Sequence, residues 1–416
     1  MNKDITIPHQ SIHIRDGKVV DMGDQNRLSA PKNAVVIDGN GKYIMPGLFD
    51  MHAHFFYEQG DNINSCEKEL KTMLANGLTT TRIMAGHPAY LEAREKVKQK
   101  EWIGPELFIA SPQFVGRWPW PPAFKNYEIA DSPEKAVSAV KEYKALGYDA
   151  IKLTFMLTRE VFDAVIKSAK AEGIKVVGHV GPGVRLTAAL ASGMQIEHMD
   201  EFIDQLLPDT SYNHGQSVSD MNIWRKSAWI TVPFLDESKL AELVSKVKRS
   251  GIYVTPTNHF FISSFGEGRT EEEIRKMPDY SYIPSHLLEE RWQIRERYNN
   301  LGFAKESRER YVYLRKKMVK ELWKAGVPLM AGSDSPEWFL VTGFSIHDEL
   351  ETFVKAGLTP YAALQTATVH PATYLGIINR TGTVETGKEA DLVLLDSNPL
   401  ENIKNTRSIS GVFASG

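Results

Sequence analysis

Two histidines separated by a single residue, His52 and His54, follow a short apolar run that Pro46-Gly47 interrupts. Strand side chains repeat every two residues, so a strand through this stretch points both imidazoles to the same side. Two imidazoles on one face supply half of a metal site. A His-x-His pair also occurs by chance at surfaces and in cores, so the interpretation requires further ligands from elsewhere in the chain.

Four other residues with suitable chemistry stand in or at the ends of apolar runs, namely Lys152, His179, His198 and Asp334. Burying a lysine ammonium is costly unless it is paired or chemically altered. The alternative for Lys152 is a stem that extends outward to water. Each histidine is either a ligand or a satisfied core residue, and Asp334 is either a functional carboxylate or the cap of the next helix.

Short β runs alternate with amphipathic helical stretches through the middle of the chain, which predicts a parallel sheet in an α/β fold. Eight runs favour a (β/α)8 TIM barrel, whose strand ends would bring the candidate residues to one pocket. The runs are 44–49, 79–84, 106–111, 150–155, 175–180, 195–199, 253–258 and 328–332. Helices are predicted over 133–146, 159–173 and 184–192, with glycine near several of their C-terminal ends.

Both ends of the chain have β patterns. Residues 11–23 alternate around Asp16-Gly17-Lys18 as a hairpin does, 34–38 are predicted to form another strand, and 382–396 suggest strand, glycine turn and strand. We therefore expect a small β-sandwich domain made of 1–43 plus 380–416, beside a barrel domain of 44–379.

Two long segments interrupt the predicted barrel. Residues 202–252 are long enough to carry extra helices, and 261–307 follow the seventh strand and are rich in charged and aromatic residues. Because loops after barrel strands surround the active site, 261–307 is either a lid or a solvated helical excursion.

Composition narrows the possible partners. The 416 residues carry a net charge of -3, which gives no sign of a nucleic-acid partner, and 42% hydrophobic with 24% charged residues is typical of a globular protein. No apolar run is long enough to span a bilayer. The one cysteine, Cys66, excludes an internal disulfide framework and a thiolate cluster, leaving histidine and oxygen ligands.

The order His-x-His, Lys, His, His, Asp on strands one, four, five, six and eight resembles the amidohydrolase superfamily, most closely its imidazolonepropionase-like and prolidase-like branch. The resemblance covers nearly the whole chain. Its motifs are 46–54, 77–82, 151–152, 178–179, 197–198, 332–334 and 387–393. The segment 356–368 is similar to that branch's last barrel helix, which packs and does not catalyse. The family often has Asp after the arginine of the second strand, whereas Ile83 follows Arg82 here.

This resemblance implies a binuclear centre of two divalent ions, for which zinc suits the ligands. It implies that His52, His54 and Asp334 hold one ion, that His179 and His198 hold the other, and that Lys152, as a carbamate formed with carbon dioxide, bridges them. A metal-bound hydroxide would attack the carbonyl, and Asp334 would move the proton to the leaving amine. The implied activity is hydrolysis of an amide-type C–N bond in an N-acyl amino acid, a dipeptide or a related amide.

Two alternatives stay open. One is a mononuclear deaminase or cyclic amide or imidate hydrolase on the same fold, with Lys152 unmodified. The other is a catalytically silent scaffold, although such relatives typically lose ligands and this chain has the full set.

Four residues are candidates for contact with a small-molecule substrate. Tyr57 could bond a carbonyl or merely pack, and His259 could contact substrate or lie in the core. Trp118, in a loop stiffened by proline, could form an apolar wall that Trp338 extends, or it could anchor a contact in a homo-oligomer. The compartment is undecided: the chain shows no targeting signal, and its short ends relative to the family are expected if an export signal was removed.

Overall fold

The computed structural model describes residues 4–55, 63–116, 126–154, 156–199, 201–208, 231–266, 269–300, 302 and 304–414. Its strands are β1 Gln10–Arg15, β2 Lys18–Asp24, β3 Tyr43–Pro46, β4 Leu48–Ala53, β5 Leu78–Ile83, β6 Glu106–Ile109, β7 Gln113–Val115, β8 Tyr127–Ile129, β9 Ala150–Leu153, β10 Lys175–Gly178, β11 Gln195–Glu197, β12 Val254–Thr255, β13 Leu392–Leu395 and β14 Ile409–Phe413.

The helices alternate with the parallel strands along most of the chain, which makes the fold α/β. They are Asn64–Ala75, Pro88–Lys98, Pro133–Ala145, Arg159–Glu172, Leu186–Ser192, Leu240–Ser250, Asn258–Phe265, Glu271–Arg275, Ser285–Asn299, Lys305–Lys324, Ser345–Ala356, Pro360–Thr366 and Val369–Leu375. No helix in the described ranges has the length and apolar character that crossing a membrane requires.

Two sets of parallel strands form the centre. One sheet has the order β4-β5-β6, and the other has the order β12-β11-β10-β9-β7-β8. Parallel bridges also join Ala110 to Ala150, Val254 to Leu329, and Ala53 to Ser335. The eighth strand predicted over 328–332 does not form as a strand. The structure describes these residues, and they pair with β12 only through the parallel bridge between Leu329 and Val254.

The predicted first strand, 44–49, is in fact two strands, and this corrects the sequence-based boundary. β3 pairs antiparallel with β13, whereas β4 pairs parallel with β5. The chain passes from one sheet to the other at Gly47, where a Cβ atom would lie only 2.1 Å from Oγ1 of Thr79. Glycine is needed at this crossing because no side chain fits there.

The predicted hairpin near the N-terminus is confirmed, since β1 and β2 pair antiparallel and turn at Asp16 and Gly17, which both have positive φ. The strand predicted over 34–38 is wrong: the structure describes these residues outside any strand, and Val35 is 92% exposed. An apolar β pattern alone does not form a strand where no neighbouring strand pairs with it.

The predicted pair of strands in 382–396 is only half right. Leu392–Leu395 forms β13 in a sheet of order β14-β13-β3, whereas 382–386, before the turn at Gly387, lie outside any strand. After that turn, Glu389 forms one bridge to Lys18. That bridge joins the hairpin to the C-terminal segment, and Val19, Ala390 and Leu392 form a small buried cluster beneath it.

The three helices predicted from sequence are confirmed as Pro133–Ala145, Arg159–Glu172 and Leu186–Ser192. Ser132 and Thr158 cap the first two helices, because the side-chain oxygen of each accepts from the backbone N–H three residues further along the chain. The third helix begins two residues later than predicted because Arg185, in the left-handed region with a φ of 71°, cannot continue a helix.

The long segment 261–307 folds as helices. Its apolar side chains Ile274 and Ile283 pack in one cluster with Phe339 and Val341, shortly after Asp334 in the chain. The segment 202–252 contains short 3-10 turns and the helix Leu240–Ser250, as its length suggested, and 209–230 lie outside the described residues.

A buried histidine is expected to make the fold sensitive to acid. His347 lies between Oγ1 of Thr406, 2.9 Å from its Nδ1, and the carbonyl of Asn76, 3.1 Å from its Nε2. Burial lowers the pKa of His347 to about 3, against 6.5 for an ordinary histidine. Below pH 6.5 this histidine is therefore protonated in the unfolded chain but stays neutral in the folded chain. The free energy of unfolding consequently falls by about 1.4 kcal/mol per pH unit until the pH approaches 3.

We expect His347→Gln to reduce the loss of unfolding free energy that acidification causes. Urea unfolding of wild type and variant at pH 7 and pH 5 measures it, with His286→Gln, an exposed position, as the matched control. Equal losses of stability on acidification in wild type and His347→Gln would show that His347 does not contribute.

Candidate metal centre

Five of the six predicted metal-site residues lie within a parallel strand or follow one, toward its carboxyl end, and the sixth, Asp334, follows a segment that pairs with β12 through the bridge at Leu329. His52 and Lys152 belong to β4 and β9, His54 follows β4, His179 follows β10, His198 follows β11, and Asp334 follows the segment 328–332. Five of them are buried, and His179 is half-buried.

Asp334 stands among three of the histidines. Its Oδ1 lies 3.3 Å from Nε2 of His52 and 3.2 Å from Nε2 of His54, and its Oδ2 lies 3.7 Å from Nδ1 of His198. One donor atom each from His52, His198 and Asp334 falls within 4.8 Å of the others. Three buried donors at such spacing suit a divalent metal ion.

His179 and Lys152 adjoin this group. The ring of His179 stacks on that of His198, with centroids 4.3 Å apart and planes inclined by 25°. Lys152 is fully buried at 0% exposure, which contradicts the alternative of a stem extended to water. The charge of its ammonium group lowers the pKa of both His52 and His198.

The electrostatics of the site favour the neutral form of two imidazoles, those of His52 and His198. Burial, followed by the charge of Lys152, lowers the pKa of His52 well below its ordinary value. Burial, followed by His179 and Lys152, does the same to the pKa of His198. A neutral imidazole offers a lone pair, so the donor set fits a cation such as zinc.

The orientation of His52 is fixed by a buried ion pair that sequence reasoning missed. Nδ1 of His52 lies 2.7 Å from Oε2 of Glu197, so that Nε2 faces Asp334. The other oxygen of Glu197 accepts from Arg82 at 2.6 Å, and Arg82 also donates to Oε1 of Gln195 at 2.7 Å. Glu197 is therefore the buried acidic partner of Arg82, which the residues next to Arg82 in the sequence do not provide. The sequence signal that could have indicated this role is that Glu197 directly precedes the candidate ligand His198.

A second contact joins β4 to the segment carrying Asp334. Asp50 accepts from the backbone N–H of Ser333 at 3.0 Å and from its hydroxyl at 2.6 Å. Gly332 permits this approach, because a Cβ atom there would lie 2.7 Å from Cβ of His52 and 2.5 Å from Cγ2 of Thr255. Burial raises the pKa of Asp50 to about 6.

Only two of the four candidates for substrate contact, His259 and Trp338, lie among the described residues. His259 faces the helix Ser345–Ala356, with its Nδ1 3.3 Å from Oγ1 of Thr352 and its backbone N–H donating to Glu349. Trp338, four residues after Asp334, packs in the cluster around Phe339. Tyr57 and Trp118 lie outside the described residues.

Comparison with known proteins agrees with the family resemblance seen in the sequence motifs. The sequence profile of the amidohydrolase family matches residues 43–416. Among curated proteins, the imidazolonepropionase of Shewanella oneidensis is 22% identical over 248 residues, which is 48% of this chain and 60% of that protein. This chain thus spans less than two thirds of that relative's length.

Solved structures are similar over much greater lengths. A Xaa-Pro dipeptidase with methionine bound in its active site matches with a TM-score of 0.69 and 19% identity, over 100% of this chain and 95% of that one. The bottromycin amidohydrolase matches with a TM-score of 0.71 and 23% identity, over 98% and 81%. At these identities the likeness establishes the fold, which is of the TIM-barrel type.

Proposed function

Because the chain belongs to the amidohydrolase family, we propose that it is a metal-dependent hydrolase that cleaves an amide-type C–N bond. The substrate class is an N-acyl amino acid, a dipeptide or a related small amide. The observation that carries this proposal is the buried convergence of His52, His198 and Asp334, whose donor atoms lie within 4.8 Å of one another.

The proposed ligand set extends this group. His52, His54 and Asp334 would hold one divalent ion, and His179 and His198 the other, with zinc suited to both. Lys152 would join them after capture of carbon dioxide as a carbamate, and its full burial supports this because an ammonium there is costly. Bound metal would polarise the substrate carbonyl and acidify a water molecule.

The chain's own residues account for the proton transfer. Asp334 is the proposed general base, which accepts the proton of the attacking water and gives it to the nitrogen of the leaving amine. Glu197 accepts from Nδ1 of His52, so that the Nε2 lone pair faces Asp334. Burial of these groups excludes bulk water, which strengthens every electrostatic contact among them.

We also propose that the central strands from β4 onward close into a (β/α)8 barrel within 44–379, and that 1–43 and 380–416, together with β3, form a separate β-sandwich. The bridges of Ala53 to Ser335 and of Val254 to Leu329 support closure, because they place 328–335 between β4 and β12. β3 and its partner β13 come from opposite ends of the chain, which supports a domain built from both.

Metal removal tests the proposed function. We expect amide hydrolysis, found by screening N-acyl amino acids, dipeptides, lactones and carbamates with zinc-loaded protein, to vanish after exhaustive chelation and to return with Zn2+, Mn2+ or Co2+. Protein that was chelated and then treated with Mg2+ alone controls for nonspecific ionic effects. Full turnover by metal-free protein would refute the proposal.

One observation favours a second candidate, a mononuclear hydrolase of cyclic amides or a deaminase. The group formed by His52, His198 and Asp334 is compact enough for a single ion. A single equivalent of bound metal, with the peptide containing Lys152 at its unmodified mass and no carbamate density in a crystal structure, would support this candidate. Two equivalents with carbamate density on Lys152 would support the binuclear site.

A further inference from the structure

The main chain at His198 is held in an unusual conformation. His198 has a φ of 63° and Met199 a φ of 57°, both in the left-handed region that non-glycine residues rarely occupy. Such backbone persists only where its surroundings determine it. A contact that fixes the carbonyl of His198 would therefore also fix the direction of its imidazole.

Arg315 makes that contact. It lies on the helix Lys305–Lys324, far along the chain, and is 2% exposed. Its Nη2 donates to the carbonyl of His198 at 3.1 Å and to the carbonyl of Pro256 at 2.9 Å. Its Nε donates to Oδ1 of Asn258 at 2.8 Å. One guanidinium thus bridges the residue after β11 and the loop after β12.

The loop held in this way bears the hydrogen-bond partner of the imidazole. Thr257 lies between Pro256 and Asn258, has a positive φ of 43°, and places Oγ1 2.7 Å from Nδ1 of His198. Arg315 therefore restrains both the main chain of His198 and the residue that its ring contacts.

A ring contact and a buried carboxyl group complete the arrangement. The guanidinium carbon of Arg315 lies 4.2 Å from the ring centroid of Phe261, and that ring lies 5.6 Å from the ring of His198. Burial raises the pKa of Glu349 to about 8. Its two carboxyl oxygens accept from the backbone N–H groups of Asn258 and His259 at 2.8 and 2.6 Å. Glu349 thus holds the same loop that Arg315 contacts.

We propose that Arg315 is a positioning residue that aims the imidazole of His198 into the metal centre. The inference rests on the proposed function, since it takes His198 as a ligand. Lysine cannot replace it, because a single ammonium does not reproduce the planar fork that contacts two carbonyls and one amide. The helix Lys305–Lys324 thereby acts on the metal centre without touching substrate.

Metal binding and spectroscopy of Arg315→Lys test this proposal. We expect affinity for Zn2+, measured by competition with a chromophoric chelator, to fall about 10–100-fold, and the visible spectrum of the Co2+-loaded protein to change. Arg310→Lys is the matched control, because Arg310 lies on the same helix and its Nη2 donates to the carbonyl of Leu235 at 2.8 Å. The control should retain wild-type affinity and spectrum.

A second variant guards against misfolding of the first. Thr257→Val keeps the shape of the side chain but removes the hydroxyl next to His198, so we expect the same spectral change and weaker binding. Wild-type affinity and an unchanged Co2+ spectrum in a folded Arg315→Lys protein would overturn the proposal. If Arg315→Lys does not fold, wild-type affinity and an unchanged spectrum in Thr257→Val would overturn it instead. If wild-type protein binds neither metal, the proposed function itself fails.

Discussion

Replacing Asp334 by asparagine is expected to lower kcat for amide hydrolysis by about 10²–10⁴-fold, the range that general acid–base catalysis supplies. The side chain is buried, and one carboxylate oxygen lies 3.3 and 3.2 Å from Nε2 of His52 and His54. An amide of the same shape has neither the charge nor the basicity to accept a proton. Steady-state kinetics on the best amide found by screening, with zinc-loaded variant, measures the loss.

Asp149→Asn provides the matched control. Asp149 precedes β9, at the opposite end from the site, and accepts from the backbone of Ile109 and from Arg94. We expect its kcat to stay near that of wild type. An Asp334→Asn protein that keeps its metal and retains kcat within about tenfold of wild type would show that another group performs the proton transfer.

Replacing Glu197 by glutamine is expected to have two large effects. The guanidinium of Arg82 would lose its buried carboxylate partner, which destabilises proteins by about 3–5 kcal/mol. The Nδ1 position of His52 would lose the contact that orients its ring, and loss of such a partner typically weakens metal binding about 10–100-fold. Urea unfolding and chelator competition measure these effects separately.

The double variant Arg82→Met, Glu197→Gln distinguishes the two effects. Removing the arginine also removes the uncompensated charge, so we expect much of the stability to return while metal affinity stays low. A Glu197→Gln protein with wild-type stability and affinity would contradict the assigned role of this ion pair.

The sequence predicted the location of the candidate site because its residues are tied to local patterns. His52, His179 and His198 each stand in or directly after a short apolar run, and the parallel strands that those runs form place their ends on one side. Helix limits near Ser132 and Gly173 were equally predictable, since capping depends on neighbouring residues.

What local pattern could not predict depends on contacts between distant residues. Arg82 and Glu197 are 115 residues apart, and Asp50 and Ser333 are 283 apart. The division of the first predicted strand at Gly47 likewise depends on the proximity of Thr79. Residues 34–38 have a β pattern but lie outside any strand, because a strand is defined by its partner as well as by its residues.

The central claim is that this chain binds a catalytic divalent metal ion between His52, His198 and Asp334. Anomalous diffraction at the zinc absorption edge, from crystals of zinc-loaded protein, tests it most directly. We expect a strong anomalous peak within bonding distance of donor atoms from all three residues, and we expect its loss in crystals of the His52→Ala, Asp334→Ala double variant. Absence of a peak at these residues in fully loaded wild-type crystals would contradict it.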